Sequence, residues 1–135
     1  IYNFYDNHFG SITRSFEDKK LTGASYVLAG SLLTYLLFDS KIAGISLLVM
    51  SLSDAMAAIV GVGFGSTKLL NKSLEGSFSF FFTTIIIFYF FNISYLIAFP
   101  IAFILTVIEL IGIFNIDDNI IIPITTGLLL NLFTI

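Results

Sequence analysis

The sequence has no cysteine and no tryptophan, one histidine, two prolines and only 11% charged residues. Without cysteine there are no disulfides, no thiolate nucleophiles and no cysteine-ligated metals, and the redox compartment is left open. The one histidine, His8, lies in a polar N-terminal segment, where an imidazole is ordinarily a solvated side chain. Nine acidic residues against six basic ones give a net charge of −3, the wrong balance for a nucleic-acid-binding face.

What the chain does have is apolar surface. Its 135 residues are 57% hydrophobic, with a mean hydropathy of +1.00, above what a water-soluble domain carries. Charge-free stretches at residues 21–38 and 77–108 reach the roughly 18 residues that mark a membrane-spanning helix, and the second is too long for one crossing. We read five spans, at 21–38, 42–64, 77–92, 94–116 and 120–135, cutting the long run at Asn92-Ile93-Ser94 because polar residues favour an interface over lipid. The predicted fold is all-α, a polytopic membrane helix bundle of about five transmembrane helices. Residues 1–20 form a polar N-terminal loop or interfacial segment, and 21–135 form one transmembrane catalytic domain without an internal repeat. The third and fifth spans are short, so local thinning or burial against neighbours has to make up the difference. Pro100 predicts a kink rather than a break, since neighbours in a bundle satisfy the freed carbonyl. The chain opens at Ile1 without a methionine and its last apolar run stops at Ile135, so we expect a piece of a longer protein.

Charge predicts orientation. Arg14, Lys19 and Lys20 precede the first span, and Lys68 and Lys72 fall between the second and third, so five of the six positive charges share one side. By the positive-inside rule that side is cytoplasmic. Five crossings bring Asp117, Asp118 and Asn119 to the same side, with the span ends bearing Asp54 and Glu109, and leave Asp39 and Lys41 on the other.

Asp54 lies inside the second span, about 18 Å along the helix from Ile42 and about 10 Å from Gly61. A carboxylate there is costly to bury and marks a functional path more often than a structural hydrogen bond. Ser51, Ala58, Gly61 and Gly65 are predicted to share its face, small residues that admit a second helix or a ligand. The span ends in Gly61-Val62-Gly63-Phe64-Gly65, followed by Ser66, Thr67 and Lys68. Glycines let backbone amides approach a phosphate, and they serve ordinary packing and capping equally well. The pattern is not the standard phosphate loop, because Asn71 rather than glycine precedes Lys72-Ser73.

Lys72-Ser73-Leu74-Glu75-Gly76-Ser77 gathers a cation and hydroxyls that suit phosphate oxygens and a carboxylate that suits magnesium. The plainer account has Ser73 or Ser77 capping the third helix and Lys72 obeying the charge rule. Glu109, Asp117, Asp118 and Asn119 are hard oxygen donors that fit magnesium better than zinc. For the 117–119 loop, capping of the fifth helix by Asn119 or Asp118 is the simpler account. Glu109, within an apolar helix, is a site candidate.

Taken in order, these residues resemble the CTP-dependent lipid-alcohol kinases, the family of dolichol, phytol and farnesol kinases. The resemblance runs from LTGASY at 21–26 through SDAMAAIVGVGFG at 53–65 and NKSLEGS at 71–77 to Glu109 and DDNIIIP at 117–123. It implies transfer of the γ-phosphate of CTP to the hydroxyl of an isoprenoid alcohol at the cytoplasmic membrane face, with Mg2+. Asp54, Lys72 and Glu75 would be catalytic. Gly61, Gly63, Gly65, Lys68, Lys72, Ser73 and Gly76 would hold the nucleotide, and Asp54, Glu75, Glu109, Asp117 and Asp118 would hold metal. The implied partners are the lipid alcohol, CTP and membrane lipids. The same pattern is similar to phosphatidate cytidylyltransferases, but their C-terminal His-Gly-Gly and Asp-Arg signature is absent and no histidine follows His8, so the kinase ranks first. A small transporter or channel subunit using Asp54 and Glu109 as ion sites accounts for the buried acids. It does not account for Lys72, the serines and the acidic loop gathering on one side.

Overall fold

Few prolines and long apolar runs leave helix as the backbone's simplest way to satisfy its own polar groups. The computed structural model describes residues 23–69, 72–112 and 117–134. The expected polar segment 1–20, with His8, Arg14, Lys19 and Lys20, lies outside the described residues, as does Asn71. Five helices make up most of the described chain: α1 (Gly23–Leu37), α2 (Ser40–Phe64), α3 (Leu74–Phe90), α4 (Tyr95–Ile111) and α5 (Asp118–Thr134). One feature was not expected, an antiparallel ladder of two short strands, β1 (Lys68–Leu69) and β2 (Lys72–Ser73), between α2 and α3. Among the described residues only α2, at 25 residues, is long and apolar enough by itself to cross a membrane. The other four have 15 to 17 residues, so shortness extends beyond the two spans where sequence predicted it.

Local chemistry explains the boundaries. Asn92, at φ 58°, ends the α3 region in a left-handed turn, with Ile93 N–H donating to the Phe88 carbonyl and Asn92 N–H to that of Tyr89, both at 3.0 Å. This is the Schellman pattern, in which a left-handed residue closes off orphan carbonyls, and it cuts the long apolar run where the sequence suggested. The expected end of the fourth span at 116 is corrected. Gly112, at φ 62°, stops α4 after Ile111, because glycine takes the left-handed conformation without a Cβ clash. Residues 113–116 lie outside the described ones. The third helix begins three residues earlier than expected, since Ser73 caps it by accepting from Gly76 N–H at 3.1 Å. Pro100 sits inside α4 without ending it.

Packing fixes the directions. Ser53 meets Thr84 at 3.0 Å and Gly61 faces Gly76, so α2 and α3 run antiparallel. Gly30 of α1 lies against the Asn119 carbonyl, and Gly127 of α5 lies against the Phe38 ring, so α1 and α5 run parallel. Glycine is required at both places: a Cβ on Gly30 would strike the Asn119 backbone, and one on Gly127 would strike Phe38. The core holds Val49, Phe80, Phe88, Ala102 and Leu105, all fully buried. Thr34, Ser46, Thr84 and Thr126 are buried too, each donating to the carbonyl four residues back at 2.7–2.9 Å. Small hydroxyl residues bonded in this way satisfy themselves and let helices approach closely. The outer faces carry large apolar side chains, with Leu28, Leu36, Val62, Phe64, Phe90, Leu96 and Leu132 largely exposed.

Candidate active site

The bundle's directions bring the C-terminal ends of α2 and α4, the strand pair and the N-terminal ends of α3 and α5 to one end. A cleft of about 470 Å³ opens there. Asp54, Ala57, Ala58, Gly61, Val62 and Gly65 line it from α2 and its exit, Lys68, Lys72 and Ser73 from the strand pair, Gly76 and Ser77 from α3, and Glu109 from α4. Asp39 and Lys41 line a separate cavity with Ile93 and Asn131 at the opposite end.

Asp54 reaches the cleft by way of a local irregularity. Residues Val49–Ser53 are a π-helical segment, an insertion that rotates the later turns of α2 relative to the earlier ones and recurs at functional sites. Ser51 is consequently turned to the exposed surface, donating to the Leu47 carbonyl at 2.9 Å. This corrects its expected place on the Asp54 face, which assumed an unbroken α-helix. Asp54 is half-buried, and among the described residues its carboxylate has no hydrogen bond or ion pair. The charges that face it are Lys72, Asp118, Glu109 and Asp117.

Lys72 is held tightly. Its Nζ lies 2.8 Å from Glu109 Oε1 and 2.7 Å from Asp118 Oδ2, so β2, α4 and α5 meet at one ammonium. Burial works against the charged form, but the hydrogen bonds and negative charges of Asp118 and Glu109 outweigh it, and Lys72 titrates above its ordinary value. Glu109 is buried, 3% exposed. Its second oxygen, Oε2, accepts from the Ser77 hydroxyl at 3.1 Å.

Several predicted site residues do other work. Glu75, expected at the catalytic centre and on the metal, does not line the cleft. Its Oε1 accepts from Ser66 N–H at 3.1 Å, Ser66 Oγ–H at 2.6 Å and Thr67 N–H at 3.1 Å. These bonds, the Ser66 hydroxyl foremost, hold its carboxyl down to about 2. Glu75 thus fastens the exit of α2 to the start of α3. Asp117 accepts from the Asn119 N–H at 3.0 Å and from its side-chain amide at 2.6 Å, so Asp117, rather than Asn119 or Asp118, starts α5. Gly63 is exposed, with nothing within 4 Å of a Cβ built on it, and it stands outside the cleft.

Gly61, Gly65 and Gly76 do line the cleft, yet packing alone requires them. A Cβ on Gly61 would lie 2.9 Å from Ser73 Oγ, one on Gly76 would lie 2.8 Å from the Ala57 carbonyl, and one on Gly65 would strike the Gly61 carbonyl. Among the described residues no three carboxylates or imidazoles converge as a ready metal cage. Four of the five expected metal ligands are divided between the α2 exit (Glu75), the Lys72 ammonium (Glu109 and Asp118) and the α5 cap (Asp117), which leaves Asp54 as the carboxylate available. One or two carboxylates are enough for magnesium when substrate phosphates supply further oxygens.

The sequence is 32% identical over 143 aligned residues to the uncharacterized protein RP860 of Rickettsia prowazekii, covering 98% of this chain and 70% of that protein. The chain belongs to the RP860 family. It is also 34% identical over 122 residues to the uncharacterized protein MJ1137 of Methanocaldococcus jannaschii, with 87% of this chain and 61% of that protein covered. No family model and no solved structure matches.

For this RP860 relative, reading the sequence missed the Ser66–Thr67 clamp on Glu75 and the Ser77–Glu109 bond. The first had a visible signal. Two hydroxyl residues directly after a glycine-rich helix exit present free N–H groups, and a carboxylate in the first turn of the next helix can receive them. The second had none, because the partners are 32 positions apart in sequence.

Proposed function

We propose that this chain forms the phosphotransfer core of a multi-pass membrane kinase that moves the γ-phosphate of CTP to the hydroxyl of an isoprenoid alcohol, on the cytoplasmic side and with Mg2+. The observation that carries the reading is a cleft with an unengaged carboxylate, Asp54, facing an ammonium, Lys72, that two carboxylates hold in place. Phosphoryl transfer asks a protein mainly to position reactants and neutralise charge. The exposed leucines and phenylalanines around the bundle and its buried hydroxyls suit a lipid environment. Among the described residues, the one helix of spanning length is joined by four shorter ones that cross with local thinning.

In this reading Lys72 and Lys68 meet the nucleotide's phosphates, Lys72 as a charge held by two carboxylates and Lys68 as an exposed one on β1. Asp54 is the group that holds Mg2+ or takes the hydroxyl proton. Bound Mg2+ would neutralise phosphate charge. The acceptor oxygen bonds to the γ-phosphorus as the bond to the β,γ-bridging oxygen breaks, and CDP leaves. Glu109 and Asp118 hold Lys72 and touch no substrate.

The test is phosphate transfer by the full-length protein in liposomes, with γ-labelled CTP or ATP, magnesium, and phytol, geranylgeraniol, dolichol or diacylglycerol as acceptor. A labelled lipid monophosphate formed with CTP and lost in Asp54→Asn is expected. No labelled lipid from any acceptor, with CDP-lipid formed instead from phosphatidate and α-labelled CTP, would move the protein to cytidyl transfer.

A further inference from the structure

A second cavity, of about 260 Å³, lies between α3 and α4 beside the cleft and shares Ser77 with it. Its other walls are Leu74, Phe78 and Phe81 on α3 and Phe103, Thr106, Val107 and Leu110 on α4. Each set recurs at three- and four-residue spacing, so two facing helix stripes form a groove about 10 Å long. Neither hydroxyl in the wall is free. Thr106 donates to the Ala102 carbonyl at 2.7 Å and Ser77 to Glu109. The groove therefore presents only apolar surface, although the Glu109 carboxylate lies just behind it, bonded to Ser77 and next to Leu110 in the chain.

A substrate with a reactive hydroxyl and a hydrocarbon chain needs an apolar path that begins where the polar cleft ends. We propose that the α3–α4 groove holds the hydroxyl-proximal part of the lipid alcohol's chain, with Ser77 as the partition between tail and cleft. The proposal rests on the kinase reading and adds to it where the substrate lies and what is recognised. At this volume the groove is smaller than the roughly 300–1,000 Å³ that encloses a whole small ligand. It takes the first units of the chain and leaves the rest among membrane lipids, so recognition falls on the structure near the hydroxyl and chain length matters little.

The test is photolabelling of the full-length protein in phosphatidylcholine liposomes, without nucleotide. The probe is an isoprenoid alcohol with a diazirine near the hydroxyl, and mass spectrometry locates the adducts. Expected is labelling concentrated on Phe78, Phe103 and Val107 that excess farnesol, geranylgeraniol or a longer polyprenol displaces about equally. Val107→Trp, which fills the groove, loses the displaceable label, while Leu36→Trp on the outer face of α1 keeps it. Label spread over outward residues such as Leu28 and Leu36, or label that no alcohol displaces, overturns the proposal and assigns the groove to bulk lipid. Because no nucleotide is present, the two readings separate. Displaceable groove labelling without lipid phosphate in the transfer assay sinks the kinase and leaves the binding site. Lipid phosphate formed while the groove stays unlabelled sinks the groove alone.

Discussion

At Lys72 one ammonium carries two ion pairs, and the consequence of removing it depends on what it leaves behind. Lys72→Met strands Glu109, which is buried and, among the described residues, keeps only its bond from Ser77 once Lys72 is gone. Breaking a buried pair from one side costs about 3–5 kcal/mol, most of it the stranded charge rather than the lost attraction. We expect the apparent unfolding temperature in detergent to fall sharply in Lys72→Met and to recover for the most part in Lys72→Met/Glu109→Gln, with both variants inactive. Equal losses in the two would show that Glu109 is solvated. The signs of the shifts set the pH dependence. Lys72 titrates above its ordinary value, so its stabilisation is complete below the usual lysine pKa of about 10.4 and fades only as pH rises through the raised folded value. Glu75 behaves oppositely. Its carboxyl titrates near 2 rather than 4.5, so its contribution is present above 4.5 and is lost as pH falls towards 2. At neutral pH, Glu75→Ala should release the Ser66–Thr67 segment and speed tryptic cleavage after Lys68. Unchanged cleavage would mean that the strand pair, rather than Glu75, fastens this exit.

The glycines show how far sequence reaches at the level of an element. Their spacing announced that α2 is approached closely at its end, and it is. Yet spacing treated Gly61, Gly63 and Gly65 alike, while the fold separates them. Gly76→Ala drives a Cβ to 2.8 Å from the Ala57 carbonyl, and Gly61→Ala puts one at 2.9 Å from Ser73 Oγ. Overpacking of this kind costs about 1–3 kcal/mol. Gly63→Ala meets nothing and removes a flexible residue from a helix, worth roughly 0.5–1 kcal/mol in its favour. Thermal unfolding of the three variants checks the order, and a destabilised Gly63→Ala would contradict the placement of that face. The helices themselves were readable because apolar runs and the Asn92 break are local signals. The π-helical segment was not. Nothing in Val49-Met50-Ser51-Leu52-Ser53 announces it, and it forms where Ser53 bonds to Thr84 across a helix contact that sequence order does not reveal. That one insertion moved Ser51 off the cleft.

At the scale of the bundle, the described residues have a charged end and a sparsely charged end, and their count of five helices decides which residues meet. The sequence predicted the gathering of Asp54, Lys72, Glu109 and Asp118 from an odd number of crossings, without any sign of which would pair. Pairing depended on the directions of α4 and α5 and on Lys72 reaching both. Glu75, assigned to the site by its position in a motif, went instead to its neighbours in the chain, because a carboxylate eight or nine residues from two free N–H groups reaches them before it reaches a cleft. The same architecture makes the membrane reading testable. If the bundle spans a bilayer, the Lys41 end and the Lys68 end lie on opposite faces, separated by the length of α2, which at 25 residues is about 37 Å. The chain has no cysteine, so Lys41→Cys and Lys68→Cys each introduce the sequence's only thiol. In sealed vesicles of one orientation, a membrane-impermeant maleimide should label one variant from outside and the other only after the membrane is opened, with Lys68 on the cytoplasmic face. Labelling of both from outside would take the charged end and the Asp39–Lys41 turn to the same side. The cleft would then belong to a bundle lying on the membrane rather than crossing it.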